Sequence, residues 1–472
     1  MNDIAGFVAT LDRRIEAIVD ACTRCGACAQ VCPTPAALAR EHDPGVSAAE
    51  PGIDAVGLTT GIIDILRGET TSEEPGRVAA ARWAAACCGT GNCLDVCEHG
   101  INPRFMLSMA RRAASRGRDA GERREAGKQA FKRMSRGVRV LSRLQLAPEL
   151  LARLSPASHP ERDTPPDVVF YTGCNLLKTP HIGLLCLDVL DALEISYEVH
   201  GGPASCCGIL QMRPGDIDNG GRQALRTLQR LAGPGAGQVL SWCPTCQIQF
   251  GETVIPSFTV AQPEQQRGLD MTLFPVFLAS RLDHLAPLMR HRVPKRVALC
   301  EFPGAPGVVP AVRRLLEQVP GLQLVPLDVP GVGYQLSSLA ALPRQRDQML
   351  ASMLRQAEQA GLDALVGIFH GDHRELVGHQ PHWPFEMLNY MELIGASLGL
   401  VREDTFKRLR LMDDVDAILQ ASLTRIEANQ LSLEEARSVI LADLLGDQLL
   451  STDRNQQPMG DFARGTGTAT QT

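Results

Sequence analysis

Short apolar runs that stop at a cysteine or a histidine recur through the middle of the chain. Residues 168 to 174, "VVFYTGC", read as a buried strand ending at Cys174, and "HIGLLCLDVLDAL" follows with helical periodicity. "SYEVHGG" reads as a second strand before "ASCCGI", which holds Cys206 and Cys207, and "QVLSWCPTC" ends a third at Cys243 and Cys246. The order then starts again: "VALCEF" carries Cys300, "VVPAVRRLLEQV" is helical, "LQLVPLDV" is a strand, and "ALVGIFHGDH" ends at His370 and His373. Each half reads as strand, helix, strand, helix, strand, which predicts a parallel α/β layer with its polar and sulfur side chains at the carboxyl ends of strands.

The flanks have a different pattern. Between Arg104 and Arg143 there are 13 Lys/Arg against three acids, and Phe131, Met134, Val138 and Leu141 recur every three to four residues. That spacing predicts one amphipathic basic helix, either a solvated connector or a face for an acidic partner or an anionic membrane surface. "LSPASHPERDTPPD" reads as a linker, and from residue 403 the pattern is helical, with Ser432 and Glu435 spaced for a capping box. The final stretch, 451–472, is polar and expected to be disordered. The apolar run "MTLFPVFLA" is about half of what a membrane span needs, so no transmembrane segment is expected.

Constant offsets make the two halves a repeat. Cys174 to Cys300 is 126 residues, while Cys207 to Tyr334, Cys243 to His370 and Cys246 to His373 are each 127. In the second copy the paired cysteines have become Gly333 and Tyr334, and C-P-T-C has become H-G-D-H.

At 472 residues there is chain for about three domains, and a net charge of −6 argues against general nucleic-acid binding. The N-terminus has acids and no long apolar core, so it does not read as a secretory signal, and a cytoplasmic location follows. The basic helix leaves room for peripheral attachment to the inner face of a membrane. In a reducing compartment, 15 clustered cysteines point to metal or redox chemistry rather than disulfides.

"CTRCGACAQVCP" places Cys22, Cys25, Cys28, Cys32 and Pro33 in C-x2-C-x2-C-x3-C-P, the run by which bacterial ferredoxins hold a [4Fe–4S] cluster. Three close thiolates wrap one face of a cubane, and the fourth leaves on a helix toward a neighbouring cluster. Zinc needs only four ligands and does not account for the proline. In "CCGTGNCLDVCEHGINP", Cys87, Cys93 and Cys97 match the first, third and fourth positions, Thr90 takes the second, and Cys88 is available as a substitute. A second cubane is expected. If the crossed ligation of two-cluster ferredoxins holds, Cys97 completes the set of Cys22, Cys25 and Cys28, while Cys32 joins Cys87, Cys93 and Cys88.

A cysteine, then Cys-Cys-Gly, then C-x-x-C at these separations resembles the CCG domain of heterodisulfide reductase catalytic subunits and of the glycolate oxidase iron-sulfur subunit. With the ferredoxin block in front, the chain is similar to the fused, membrane-linked form of heterodisulfide reductase over about residues 15 to 380. The resemblance implies a fold of mixed class, α and α/β. It divides the chain into a helical two-cluster ferredoxin-type domain (1–115), a basic helical linker (116–166), a first CCG domain (167–290), a second, degenerate one (291–402), a helical extension (403–450) and the tail. It implies a noncubane [4Fe–4S] cluster on Cys174, Cys206, Cys207, Cys243 and Cys246. Five thiolates exceed what one cubane or one zinc uses. Cys186, at an apolar helical position, reads as a core thiol.

In the second half only Cys300 remains. With His370 and His373 it could hold zinc or iron, with a fourth ligand from Asp372, His379, His382 or water. The imidazoles could instead supply protons to the first cluster, or the site could be a decayed one without metal. No nucleotide-binding glycine loop follows a strand, so flavin chemistry falls to a partner. The expected function is an iron-sulfur electron-transfer subunit between a flavoprotein and a quinone-reactive membrane subunit or other carrier. The alternative is a catalytic subunit doing disulfide or sulfur redox chemistry at the noncubane cluster. Loss of the second five-cysteine set tilts the choice toward the first.

Overall fold

β-Branched and aromatic residues fill Val168–Gly173, and all six are buried, so this segment forms β1 at the centre of a parallel sheet. The computed structural model describes residues 4–42, 54–68, 75–159, 161–261, 269–446 and 448–459. Beside β1 lie β2 (Tyr197–Gly201), β3 (Gln238–Ser241) and β4 (Asp270–Leu273), in the order β2-β1-β3-β4. Tyr171 pairs with His200 on one side and Ser241 on the other. The second half repeats this with β5 (Arg296–Leu299), β6 (Gln323–Leu324), β7 (Ala364–Gly367) and β8 (Glu386–Asn389), in the order β6-β5-β7-β8. Each sheet therefore has a switch point, between β1 and β3 or between β5 and β7, where connections leave in opposite directions and a crevice opens at the carboxyl ends.

Each sheet has one strand more than the pattern predicted. β4 and β8 are four residues long, begin at an exposed residue, and run directly into the helices Phe274–Ser280 and Tyr390–Leu398. Their apolar residues merge with the helical signal. β6 is shorter than "LQLVPLDV" suggested: Gln323 N–H bonds Lys295 O at 2.9 Å and Val325 N–H makes the last bond, to Val297 O at 2.8 Å.

Alternate residues of each strand feed different cores. Val168 and Phe170 face a core shared by both halves, together with Val297, Leu299, Val366 and the helices Pro180–Ala192, Val308–Glu317 and Tyr390–Leu398. There Trp242 stacks on Tyr390, ring centres 5.9 Å apart at 4°, a contact worth about 0.5–1.5 kcal/mol beyond burial. Val169 and Tyr171 face the N-terminal helices, where Phe7, Leu11, Ile62 and Trp83 are buried. Ala298, Cys300 and Leu365 face the helix Pro343–Gln359 and reach Ala37, Ala86 and Cys88 of the N-terminal block. The N-terminal helices thus pack on both halves.

The basic stretch is two helices, Pro103–Ala114 and Ala120–Gln145, not one. Asp119 caps the second, accepting from Gly121 N at 2.8 Å and Glu122 N at 3.1 Å. The second helix is not a solvated connector along its length: Val140, Leu141 and Leu144 form a buried cluster with Phe406, Ile418, Ile426 and Ile440 of the C-terminal extension. Ser432 Oγ accepts from Glu435 N at 3.0 Å, but Glu435 makes half a capping box only, because its carboxylate pairs with Arg139 and Arg136. The disorder expected from residue 451 does not hold for 451–459. Arg454 lies 3.9 Å over the Trp383 ring and pairs with Glu358 at 2.6 Å, which anchors 451–459. Residues 460–472 lie outside the described residues.

Candidate redox site

The helix Ile4–Ala21 delivers Cys22, and a single turn at Ala27–Gln30 holds Cys28 before Pro33 opens the next helix. Burial, and then the thiols of Cys22, Cys25 and Cys97, push Cys28 up to about 11. Cys22 is likewise raised by burial and has Cys25 and Cys97 as charged neighbours. The second set gathers around Cys87, which burial raises and which neighbours Cys32, Cys88 and Cys93. Cys93, raised to about 12 by burial, faces Cys32. The chain thus brings Cys97 to the first motif and Cys32 to the second, the crossed grouping expected from the ferredoxin pattern.

Cys32, Cys87, Cys93 and Thr90 line a small cavity with Arg104. Cys32 Sγ accepts a hydrogen bond from Trp83 Nε1 at 3.3 Å. Cys88 also neighbours Cys32 and Cys87, with its Sγ 3.2 Å from Thr90 Oγ1 and 3.6 Å from Thr34 Oγ1. Thr90, which stands where a second cysteine would be, accepts from Gly333 N at 2.9 Å. It fastens the ferredoxin block to the second half.

The CCG cysteines meet at the first switch point. Cys174 follows β1, Cys243 follows β3, and Cys206 and Cys207 follow β2. Cys206 neighbours Cys174 and Cys207, and Cys246 neighbours Cys207 and Cys243, so the five thiols form one continuous set. Hydrogen bonds from Cys206 and Cys246 hold Cys207 well below an ordinary thiol, and Cys246 does the same for Cys243. Tyr171 donates to Ser205 O at 2.7 Å and lies 3.6 Å from Cys246 Sγ. The Cys-Cys-Gly turn needs its glycine: Gly208 has φ +77, and a Cβ there would lie 2.1 Å from Gly220 O.

The corresponding residues of the second half are not gathered. Cys300 is fully buried and donates to Met353 Sδ at 3.4 Å, on the sheet face turned toward the helix Pro343–Gln359. His370 and His373 lie on the first turn of the helix His370–Val377 rather than at a strand end. Burial and the cations Arg374 and Lys178 push His370 down to about 3. His373 instead reaches Asp404, Nε2 to Oδ2 2.7 Å. Among the described residues, no group of mutually close ligand atoms contains Cys300 or His370. The structure does not bring the expected set of Cys300, His370 and His373 into one ligand group: Cys300 faces Met353, while His373 faces Asp404.

Between the second ferredoxin set and the CCG turn lies a pocket that sequence reasoning did not find. Cys87, Arg111, Arg213, Thr245 and Tyr334 line it. Tyr334 closes one side: its hydroxyl is 3.3 Å from Arg213 Nη2 and 3.5 Å from Thr245 Oγ1, and its ring packs on Gly89, where a Cβ would be 2.8 Å away. Arg104 ties the wall together, with Nη1 donating to Gly89 O at 3.0 Å and Gly304 O at 2.8 Å while Nε bonds Glu252 at 2.8 Å. Arg104 and Arg111 were visible as part of a basic stretch, whereas Arg213 was not. Nothing in the spacing tied them to a pocket.

The donor chemistry fits iron-sulfur groups: two crossed thiol sets and a third set of five. The 4Fe-4S binding domain signature matches residues 15–37, and that of the cysteine-rich CCG domain matches 168–251. The chain joins a 4Fe-4S domain to a CCG domain. It is 24% identical over 421 residues to the D subunit of the dihydromethanophenazine:CoB–CoM heterodisulfide reductase of Methanosarcina mazei, covering 81% of this chain and 94% of that one. The D subunit of the same enzyme from Methanosarcina acetivorans is 24% identical over 248 residues, 48% of this chain and 56% of its own. The chain is thus similar to those subunits and carries two domains of iron-sulfur type. No helix among the described residues is long and apolar enough to cross a membrane.

Proposed function

We propose that this CCG protein is the iron-sulfur subunit of a multi-subunit oxidoreductase that carries out sulfur redox chemistry beside its first CCG sheet. The observation that carries the reading is the arginine-lined pocket that borders Cys87 of one thiol set and Thr245, inside C-P-T-C, of another. Cys22, Cys25, Cys28 and Cys97 would hold one [4Fe–4S] cubane, and Cys32, Cys87, Cys88 and Cys93 a second. Cys174, Cys206, Cys207, Cys243 and Cys246 would hold a noncubane [4Fe–4S] cluster. When bound, these groups supply one-electron transfer. The chain's own residues do the rest: Arg111 and Arg213 bind and orient an anionic sulfur compound, and the Tyr334 hydroxyl, fixed by Arg213 and Thr245, presents a proton donor to it. The relatives' name, which includes a CoB–CoM heterodisulfide, supports this substrate class.

A second reading rests on the decayed second half, which keeps Cys300 alone of its cysteines. On that reading the protein only relays electrons from a flavoprotein partner toward a quinone-reactive subunit or other carrier. Anaerobic purification with iron analysis and EPR tests both. About 12 iron per chain is expected for three clusters, and fewer than about eight overturns the cluster assignment. Adding thiols to the oxidised protein should raise a new paramagnetic signal. Its absence, with reduction by a co-purified flavoprotein, selects the relay.

A further inference from the structure

Away from every cysteine set, four side chains from four separate elements converge where the two halves meet the C-terminal extension. They are His181, in the first turn of Pro180–Ala192; His373; Glu392, in the first turn of Tyr390–Leu398; and Asp404, which caps Thr405–Arg410. One ligand atom from each lies within 4.8 Å of all the others. His373 Nε2 is 2.7 Å from Asp404 Oδ2, and His181 Nδ1 is 3.3 Å from Asp404 Oδ1. We propose that these four residues bind one divalent cation of zinc type.

Two observations point to an ion rather than to a self-sufficient polar cluster. His181 is 3% exposed, yet neither ring nitrogen has a hydrogen-bond partner, its approach to Asp404 being close but not aligned. A buried imidazole with both nitrogens unsatisfied is rare without a ligand. The spacing also suits a tetrahedral ion: bonds of about 2.0–2.2 Å set neighbouring ligand atoms about 3.3 Å apart, the order of distance seen here. Two neutral imidazoles and two carboxylates carry the charge that a divalent ion cancels, and imidazole donors favour zinc over magnesium or calcium. With all four positions supplied by protein, the site is closed, as in structural rather than catalytic zinc centres. Its effect would be to pin the helix after Cys174, the second half and the extension to one point.

The test uses the anaerobically purified, cluster-loaded protein, given one equivalent of Zn2+ and desalted, with zinc and iron counted per chain. One zinc is expected, with a first shell of nitrogen and oxygen at about 2.0–2.2 Å by zinc-edge X-ray absorption. His181→Gln combined with Asp404→Asn should remove that zinc while iron count and EPR spectra stay as in the wild type. No retained zinc, a sulfur-containing shell, or zinc retained in the double variant overturns the proposal. If the double variant does not fold, the wild-type absorption spectrum alone decides.

Discussion

On the proposed ligation, Trp83 would tune the second cubane while serving the core. It is 1% exposed, and its indole N–H donates to Cys32 Sγ at 3.3 Å. Reduction adds negative charge to a cluster, so a hydrogen bond to its sulfur favours the reduced form. Removing a bond of about 0.5–1.5 kcal/mol with Trp83→Phe should lower the potential of the second cubane by about 20–60 mV in a potentiometric EPR titration. An unchanged potential with an intact signal argues that Cys32 is not a ligand there. Gly208→Ala forces a left-handed backbone and a collision with Gly220 O, so it should cost more than about 1–3 kcal/mol and abolish the noncubane signal. The five CCG cysteines were legible through the family resemblance that their spacing and the glycine after the pair carry. Tyr334 was legible only as a replacement for Cys207, because nothing in its own neighbourhood says that it reaches Thr245. His181 and Asp404 gave no sign: they are 223 positions apart in the sequence and meet only through packing of the two halves.

At the scale of elements, the crossing of the ferredoxin motifs is the feature with the sharpest outcome. Cys97→Ser should perturb the cluster assigned to Cys22, Cys25 and Cys28, and Cys32→Ser the other; the reverse pattern in EPR would show that each motif serves its own cluster. Strand and helix order in both halves could be read from apolar runs, since buried parallel strands are short and continuous in pattern. The edge strands β4 and β8 could not, because four residues fused to an apolar helix carry no period of their own. The break at Ser115–Gly117 had a local signal, Asp119 ahead of Gly121 and Glu122, that the basic periodicity around it masked. Glu435 makes the same point from the other side: the capping spacing was present, yet a pair of arginines from a helix nearly 300 residues earlier took its carboxylate.

The whole molecule is held at its centre by Arg104, which is 7% exposed and bonds one residue from each block: Gly89, Glu252 and Gly304. Arg104→Met removes the cation paired with the half-buried Glu252, leaving Arg14 as its neighbouring cation, and should lower stability by about 1–3 kcal/mol in denaturant unfolding. The internal repeat was legible from constant offsets, but the docking of the blocks was not, since it depends on the outer faces of both sheets being apolar at once. That docking makes the pocket a composite. One wall belongs to the electron-carrying segment, one to the sulfur-rich sheet and one to the copy that lost its cysteines. A chimaera that exchanged the first 115 residues for those of a relative would import a new lining along with new wiring. On the proposed function, substrate preference and electron supply are therefore inherited together and cannot be swapped as independent modules.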